Sequence, residues 1–285
     1  MEKVKIIECP RDAMQGLHDF IPTQLKADYI NSLLKCGFDT IDFGSFVSPK
    51  AIPQMRDTAE VLSKLDLSGD SKLLAIIANE RGGEDAVKFD EIDYLGYPFS
   101  VSEEFQVRNT NSTIEESLHR VEAIQNLCVK SGKELVVYLS MAFGNPYDEL
   151  WNAEIVEKWS KTLHEKFDIR ILALSDTIGT ADVETIDHLF SSLIPALPNV
   201  EFGAHLHTRP ENAKKIIEAT FNAGCRRFDG AIKGFGGCPM AKDDLTGNMP
   251  TEIMLNWFEK NNVSTNVNSN NFEQSVKMAG TVFPM

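Results

Sequence analysis

The stretch IRILALSDTIGTADVETIDHLFSSLIPALPNVEFGAHLH (residues 169–207) holds two apolar runs with an amphipathic segment between them. It predicts strands at Ile169–Leu174 and Val200–His205 and a helix at Val183–Leu193. A strand, a helix and a second strand in this order form a parallel pair joined by a crossover helix. Both predicted strands lead into polar residues, Ser175-Asp176-Thr177 and His205-Leu206-His207. The unit therefore places chemically useful side chains where its strands end.

The same alternation of strand and helix runs through the rest of the chain. Further strands are predicted at Val4–Ile7, Thr40–Phe43, Leu73–Ala78, Ile92–Leu95, Leu135–Leu139 and Arg227–Ile232. Further helices are predicted at Thr23–Cys36, Pro53–Leu65, Thr113–Lys130, Ala153–Glu165 and Glu211–Ala223, whereas the stretch between the third and fourth strands is short for a helix. About eight strands is the number of an α/β TIM barrel, (β/α)8, and an open doubly wound sheet is the alternative.

The length fits one domain, because such barrels often run to about 250 residues. We expect residues 1–285 to form a single barrel domain, with a loop at Asn261–Asn271 before a short C-terminal helical extension. No run approaches the roughly 18 apolar residues of a membrane helix, and the N-terminus resembles neither a signal nor a transit peptide. The sequence therefore predicts a cytoplasmic protein without a membrane partner.

The net charge of the chain limits the classes of ligand that it can bind. A formal net charge of −14 argues against non-specific binding of nucleic acid, which requires a basic surface. An anionic substrate would then need local cations or a bound metal to offset the overall field. The five cysteines are scattered and odd in number, so neither a disulfide framework nor a zinc-binding spacing is indicated.

Polar residues concentrate at the strand ends where barrels carry their chemistry. His205 and His207 are two apart, so both rings point to the same side of the strand, which in a barrel can be the lumen. The alternative is two ordinary polar residues at a strand end. Asp12 and Asn248 follow neighbouring strands and complete a mixed nitrogen and oxygen set, which suits Mg²⁺ or Mn²⁺ better than structural zinc.

Four further residues are candidates for catalysis. The guanidinium of Arg11 could hold a carbonyl or enolate oxygen, although an ion pair with Asp42 or Asp176 is the alternative. Those two aspartates could serve as a base, orient metal ligands or cap helices. Cys238, within Gly-Phe-Gly-Gly-Cys-Pro-Met-Ala (residues 234–241), could deliver a proton. Cys36, Cys128 and Cys225 fall in or at the ends of predicted helices, where a buried structural position is favoured, and Cys9 stays undecided.

Several blocks together resemble the hydroxymethylglutaryl-CoA lyase family, in matching order from about Val4 to Glu252. They are Arg11-Asp-Ala-Met-Gln15, Ser45-Phe-Val-Ser-Pro-Lys50, Ser175-Asp-Thr-Ile-Gly179, His205-Leu-His207 and Gly236-Gly-Cys-Pro-Met-Ala with Gly247-Asn248. The resemblance implies a divalent metal held by Asp12, His205, His207 and Asn248, with chemical roles for Arg11, Asp42, Asp176 and Cys238. It also implies metal-dependent cleavage of (S)-3-hydroxy-3-methylglutaryl-CoA (HMG-CoA) to acetyl-CoA and acetoacetate.

Other expectations rest on this resemblance. Gln15 and Lys50 are expected to contact the acyl-CoA substrate, and Arg209 is a further cation on the rim. The reaction occurs in leucine degradation and in ketone-body formation, and the sequence does not choose between them. A homodimer is expected because most oligomers are symmetric.

Three departures from the family pattern weaken the substrate assignment. The family carries Glu at the position of Asp42, Asp-Thr at Thr208-Arg209, and Gly-Pro-Arg-Asp-Gly-Leu where this chain has Cys-Pro-Arg-Asp-Ala-Met (residues 9–14). The metal set survives all three. A related lyase or Claisen synthase acting on another hydroxyacyl-CoA or 2-oxo acid is therefore an alternative, as is a metal-binding barrel without catalysis.

Overall fold

A closed barrel of eight parallel strands forms the centre of the molecule, in a computed structural model that describes residues 2–237 and 246–283. Each strand pairs with its neighbours in chain order, and β1 pairs with β8 to close the barrel. The strands are β1 (Lys5–Glu8), β2 (Thr40–Ser45), β3 (Lys72–Ile76), β4 (Tyr94–Ser100), β5 (Glu134–Ser140), β6 (Ile171–Asp176), β7 (Glu201–Leu206) and β8 (Arg227–Gly230). The predicted TIM barrel is confirmed, and the open doubly wound sheet is excluded.

Among the strands, the fourth has predicted bounds that differ most from the structure. The prediction ended it at Leu95, whereas β4 continues through Gly96 and Pro98 and pairs with β5 along its whole length. Glycine and proline are depleted in strands, so local propensity ended the prediction too early. The parallel partner on β5 supplies the pairing that overrides this propensity.

Helices surround the barrel on its outer side. They are α1 (Pro10–Gln15), α2 (Thr23–Leu34), α3 (Thr58–Leu62), α4 (Glu80–Ala86), α5 (Glu103–Thr110), α6 (Ile114–Ser131), α7 (Ala153–Phe167), α8 (Val183–Ala196), α9 (Pro210–Asn222), α10 (Thr251–Lys260) and α11 (Ser269–Val282). Several begin with a side-chain cap, as at Thr113, whose hydroxyl accepts a hydrogen bond from the Glu116 amide within a capping box. In the described ranges, no helix is long and apolar enough to cross a membrane.

Two predicted helical segments differ in the structure. The predicted helix Pro53–Leu65 is split into a 3₁₀ turn at Pro53–Met55 and the short α3, and the Thr58 hydroxyl at the start of α3 contacts the carbonyls of Ser45 and Met55. The C-terminal helix α11 begins inside the predicted loop and spans 14 residues, so it is not short.

Side chains that point into the barrel form two regions of different character. Towards β3, β5 and β6 the lumen is filled by a separate apolar cluster that includes Leu74, Val136 and Ile171. Towards β7, β8 and β1 the lumen holds polar groups, among them the buried Arg227 and Asp229. The polar side therefore lies beneath the strand ends that carry the predicted metal ligands.

A buried carboxyl fixes the junction between the first and last strands on the outer side of the barrel. Glu8, 0% exposed, accepts hydrogen bonds from the Ile232 amide (2.8 Å) and the Thr251 hydroxyl (2.6 Å). Burial outweighs both hydrogen bonds and raises the pKa of Glu8 from 4.5 to about 8. The folded protein therefore favours the neutral carboxyl.

The raised pKa of Glu8 predicts that its contribution to stability is complete below pH 4.5 and is lost as the pH rises to about 8. Glu8→Gln mimics the neutral acid and removes this loss. The variant should gain on the wild type by about 2–5 kcal/mol between pH 5 and pH 8, since one pKa unit corresponds to about 1.4 kcal/mol. Urea unfolding at both pH values measures this gain, with the exposed Glu134→Gln as the matched control. If the difference in unfolding free energy between Glu8→Gln and the wild type were the same at pH 5 and pH 8, the prediction would be contradicted.

Candidate metal centre and active site

Three predicted metal ligands meet at the carboxyl ends of β1 and β7. Asp12 lies in the first turn of α1, and His205 and His207 lie at the end of β7; one donor atom from each lies within 4.8 Å of the others. The Nδ1 atom of His207 is buried and has no hydrogen-bond partner among residues 2–237 and 246–283. A carboxylate and two imidazoles, one with an unused nitrogen, fit a divalent cation.

The fourth predicted ligand, Asn248, touches the same cluster with its amide nitrogen. Nδ2 donates to Asp12 Oδ2 at 2.7 Å and to the Phe235 carbonyl at 2.8 Å, and the residue forms an isolated antiparallel bridge with His207. Metal ligation would need the amide oxygen to face the site. The structure therefore brings Asn248 to the cluster, and its role as a ligand stays a prediction.

A glycine allows this close approach. Gly236 has φ +97°, and a Cβ placed there would lie 2.6 Å from the Asn248 amide nitrogen and 3.0 Å from the Asp12 carbonyl oxygen. Any larger residue would push the loop after β8 away from the cluster. Gly236, two residues before Cys238, is thus required by the close approach of the loop to Asn248 and Asp12. Cys238 itself lies outside the described residues.

Behind the histidines lies a carboxylate that the sequence pattern did not single out. Asp229 Oδ2 on β8 is 3.1 Å from His205 Nδ1, so the ring can direct Nε2 at the metal position. Burial acts to lower the pKa of His205, but Asp229 outweighs it and raises that pKa. Burial and the neighbouring His205 lower the pKa of His207 to about 4, so this ring is neutral and ready to bind a cation.

Arg11 forms the hydrogen-bonded centre of the acidic side of the site. Its guanidinium bonds to both oxygens of Asp42 at distances that include 3.0 and 3.1 Å, to Asp12 Oδ1 at 2.9 Å and to Gln15 Oε1 at 3.0 Å. Gln15 Nε2 also donates to Asp12 Oδ1 at 2.7 Å. The ion pair of Arg11 with Asp42, which was the alternative interpretation, is present and is buried.

These contacts set the charges of the site. Burial acts to raise the pKa of Asp12, but Arg11 and the two histidines outweigh it, and the pKa is lowered. Burial raises the pKa of Asp42 to about 6, although Arg11 opposes the rise. Asp12 is therefore an anion at neutral pH, as a metal ligand must be.

Asp176 is engaged by backbone amides of the turn after β6. Its carboxylate accepts hydrogen bonds from the amides of Gly179 (2.9 Å), Thr180 (3.0 Å) and Ala181 (2.7 Å). Burial still raises its pKa. Asp182 is the residue that caps the next helix, α8. Asp176 thus fixes the shape of the rim loop, and its predicted role in the chemistry stays a prediction.

A cavity of about 150 Å³ lies next to the cluster and is lined by all three of its residues. Polar and apolar groups both line it; among them are Arg11, Asp12, Gln15, Tyr138, Ser140, Ser175, His205, His207, Val47, Ile76, Pro98 and Phe105. Tyr138 and Ser140 were missed because they lie within β5, whereas the candidates were sought beyond the strand ends. Lys50 is exposed and is not among the lining residues, and Arg209 lines a larger neighbouring cavity.

Fold and site together define a TIM barrel with a candidate histidine and carboxylate metal site at the end of the barrel where this fold carries its active sites. The sequence model of the HMGL-like family matches residues 3–278. A hydroxymethylglutaryl-CoA lyase of Bacillus subtilis is 33% identical over 267 residues, which cover 93% of this chain and 88% of that protein. The cytoplasmic 3-hydroxy-3-methylglutaryl-CoA lyase of Homo sapiens is 31% identical over 274 residues, covering 94% and 72%.

Solved structures give the same result. The B. subtilis HMG-CoA lyase superimposes with a TM-score of 0.92 at 31% identity, covering 99% of this chain and 94% of that one. An HMG-CoA lyase of Acinetobacter baumannii, solved in complex with coenzyme A and 3-methylmalate, gives a TM-score of 0.90 at 27% identity, covering 98% and 91%. The chain belongs to the hydroxymethylglutaryl-CoA lyase family, and the resemblance found in the sequence is confirmed.

The cluster geometry predicts that Asp12 is required for metal binding. Asp12→Asn keeps the shape of the side chain but removes the charge that faces both histidines. We expect the affinity for Mn²⁺ to fall by more than about 100-fold, beyond the 10–100-fold loss typical of a group behind the ligands. Calorimetric titration of the EDTA-stripped protein measures this, with the exposed Asp19→Asn as control. Equal affinity in the two variants would show that Asp12 is not a ligand.

Proposed function

We propose that this chain is a divalent-metal-dependent lyase that cleaves (S)-3-hydroxy-3-methylglutaryl-CoA to acetyl-CoA and acetoacetate. The observation that carries the proposal is the cluster of Asp12, His205 and His207 beside the buried Arg11, facing a cavity at the catalytic end of the barrel. Relatives named for this activity match nearly the whole chain. The barrel end is where enzymes of this fold place their chemistry.

Mg²⁺ or Mn²⁺ is the proposed cofactor. Asp12, His205 and His207 would hold it, with Asn248 as the proposed fourth ligand. A cation bound there supplies Lewis acidity, which lowers the pKa of the tertiary hydroxyl of the substrate. Carboxylate and amide oxygens beside imidazoles, with cavity space on one side, suit these ions better than a closed zinc site.

Residues of this chain then accept the hydroxyl proton and stabilise the negative charge that develops on the enolate. Neither Asp42 nor Asp176 lines the cavity, and Asp176 is engaged by backbone amides, so we assign Asp176 a positioning role. Both cavity-lining histidines would be metal ligands, so we assign the hydroxyl proton to Asp42, the carboxylate beside Arg11 whose pKa burial raises to about 6. As the C2–C3 bond breaks, acetoacetate leaves with its new carbonyl, and the bonding electrons pass to the acetyl-CoA enolate.

Arg11 is placed to stabilise that enolate. Its guanidinium is held from below by Asp42 and lines the cavity, so a donor stays oriented where negative charge develops. A proton returned to C2 completes acetyl-CoA. We assign this delivery to Cys238, whose position in the Gly-Gly-Cys-Pro block comes directly after the loop that contacts Asp12.

The substrate class rests on the family and on the site. The A. baumannii relative was solved with coenzyme A, which supports an acyl-CoA ligand for this chain as well. Gln15 contacts Asp12 and Arg11 and is proposed to reach the acyl group, whereas Lys50 is proposed to meet the distal CoA phosphates. A related lyase acting on another hydroxyacyl-CoA is the second candidate, favoured by the departures at Asp42 and Thr208.

The cellular setting is proposed from the names of the relatives. Relatives include proteins named cytoplasmic in Homo sapiens and mitochondrial in Mus musculus, and the cytoplasm is our proposal for this chain. Leucine degradation is the proposed pathway, and a homodimer the proposed assembly.

The first test of the proposal is the reaction itself. EDTA-stripped protein is incubated with (S)-3-hydroxy-3-methylglutaryl-CoA, with and without Mg²⁺ or Mn²⁺, and both products are quantified. We expect equal amounts of acetyl-CoA and acetoacetate, formed only with metal. If folded, metal-loaded protein yields neither product, the substrate is wrong, and other hydroxyacyl-CoA thioesters are the next candidates.

The proposed proton delivery predicts a separation of turnover from metal binding. Cys238→Ala should lower kcat by roughly 10²–10⁴-fold, the range typical of a lost general acid, and should leave the Mn²⁺ affinity unchanged. Cys128→Ala, which removes a buried thiol on the outer helix α6, is the control. A wild-type kcat for Cys238→Ala would remove the thiol from the mechanism.

A further inference from the structure

The lumen beneath the candidate metal centre contains a buried arginine that the mechanism does not use. Arg227 on β8 is 1% exposed, and its Nε and Nη2 atoms have no hydrogen-bond partner in the part of the chain that the structure describes. Burial of a guanidinium is costly unless other groups compensate its charge. The groups around Arg227 must therefore compensate its charge.

The barrel is shaped around this side chain. Gly203 on β7 is the register partner of Arg227, and a Cβ placed on that glycine would lie 3.0 Å from the arginine Cδ and 3.3 Å from its Cγ. On the far side the guanidinium faces the ring of Tyr94 at 5.8 Å. The arginine stem thus occupies space that a larger residue on β7 would fill.

Charges of alternating sign run along the lumen from its N-terminal mouth to the metal centre. Lys5 Nζ lies 2.6 Å from Glu201 Oε2, and Arg227 Nη1 lies 3.4 Å from Glu201 Oε1. Asp229 is two residues further along β8 on the same face, and its Oδ2 contacts His205 Nδ1 at 3.1 Å. Burial acts to lower the pKa of Arg227, but Asp229, as the strongest opposing charge, raises it.

Two possible ligand clusters share His205. One is the set with Asp12 and His207; the other consists of Cys9, His205 and Asp229 on the lumen side. The positive charge of Arg227 lies on the lumen side, where it disfavours a cation beside Asp229. His205 is thereby left for the cluster that faces the cavity.

We propose that Arg227 is a positioning residue for the metal centre. Its guanidinium attracts the Asp229 carboxylate from below, so that Asp229 accepts a hydrogen bond from His205 Nδ1 and the ring presents Nε2 to the metal. The inference rests on the metal centre of the proposed function and does not depend on which acyl-CoA is cleaved. A carboxylate behind a ligating histidine commonly fixes its tautomer and orientation.

The test measures Mn²⁺ binding to the EDTA-stripped, full-length protein by calorimetry. Arg227→Met should weaken binding by about 10–100-fold, the usual cost of losing a group behind the ligands, and Arg227→Lys should recover part of the loss. Arg226→Met is the matched control at the adjacent position, because Arg226 pairs with Glu2 and stacks on Phe221 outside the lumen. That control should bind Mn²⁺ within about twofold of the wild type.

A spectroscopic readout separates positioning from a merely structural role. Long-range ¹H–¹⁵N spectra of the imidazoles should show His205 protonated at Nδ1 in the wild type and in Arg226→Met, and a mixture of tautomers in Arg227→Met. A folded Arg227→Met with the wild-type tautomer and Mn²⁺ affinity overturns the proposal. If Arg227→Met does not fold, Arg227→Lys is combined with Asp229→Asn: losses no larger than that of Asp229→Asn alone support the proposal, and additive losses overturn it.

The outcome is distinguishable from failure of the proposed function. Wild-type protein that binds Mn²⁺ but does not cleave HMG-CoA refutes the substrate and leaves the role of Arg227 open to the same measurement. Wild-type protein that does not bind Mn²⁺ overturns both the metal centre and this inference.

Discussion

The buried ion pair between Arg11 and Asp42 is the interaction on which the site depends. Both side chains are almost completely buried, so neither charge could stay in the barrel without the other. The pair joins the first turn of α1 to the end of β2, and the remaining guanidinium donors orient Asp12 and Gln15. One buried cation thereby fixes the direction of the Asp12 carboxylate, the proposed metal ligand, and offers a donor to the cavity.

A second constraint comes from the alternation of side chains along parallel strands. His205 shares the lumen face of β7 with Glu201 and Gly203, and Arg227 shares that face of β8 with Asp229. Polar residues at alternate positions therefore extend from the site into the lumen of the barrel. The opposite side of the lumen is apolar. The proposed metal centre is therefore continuous with polar side chains of the lumen and is not an isolated group of strand-end residues.

This arrangement explains what the sequence could and could not predict. The repeated strand and helix pattern predicted the barrel, and the residues after each strand brought Arg11, Asp12 and the two histidines to one place. Asp229 was missed because it lies within a predicted strand, where only the register of β8 against β7 shows that it faces His205. The hydrogen bonds from backbone amides to Asp176 could not be predicted either, because they depend on the path of the turn after β6.

The residues that depart from the family pattern make contacts that keep the site intact. Asp42 is one methylene shorter than glutamate, yet it reaches Arg11 with both oxygens. Cys9 has φ −113°, a value that any residue adopts, so the glycine of the family is not needed for backbone freedom there. The Thr208 amide donates to the Gly247 carbonyl, which keeps the β7 end beside Asn248. These replacements leave the metal cluster assembled, so any change they cause should fall on the substrate and not on the metal.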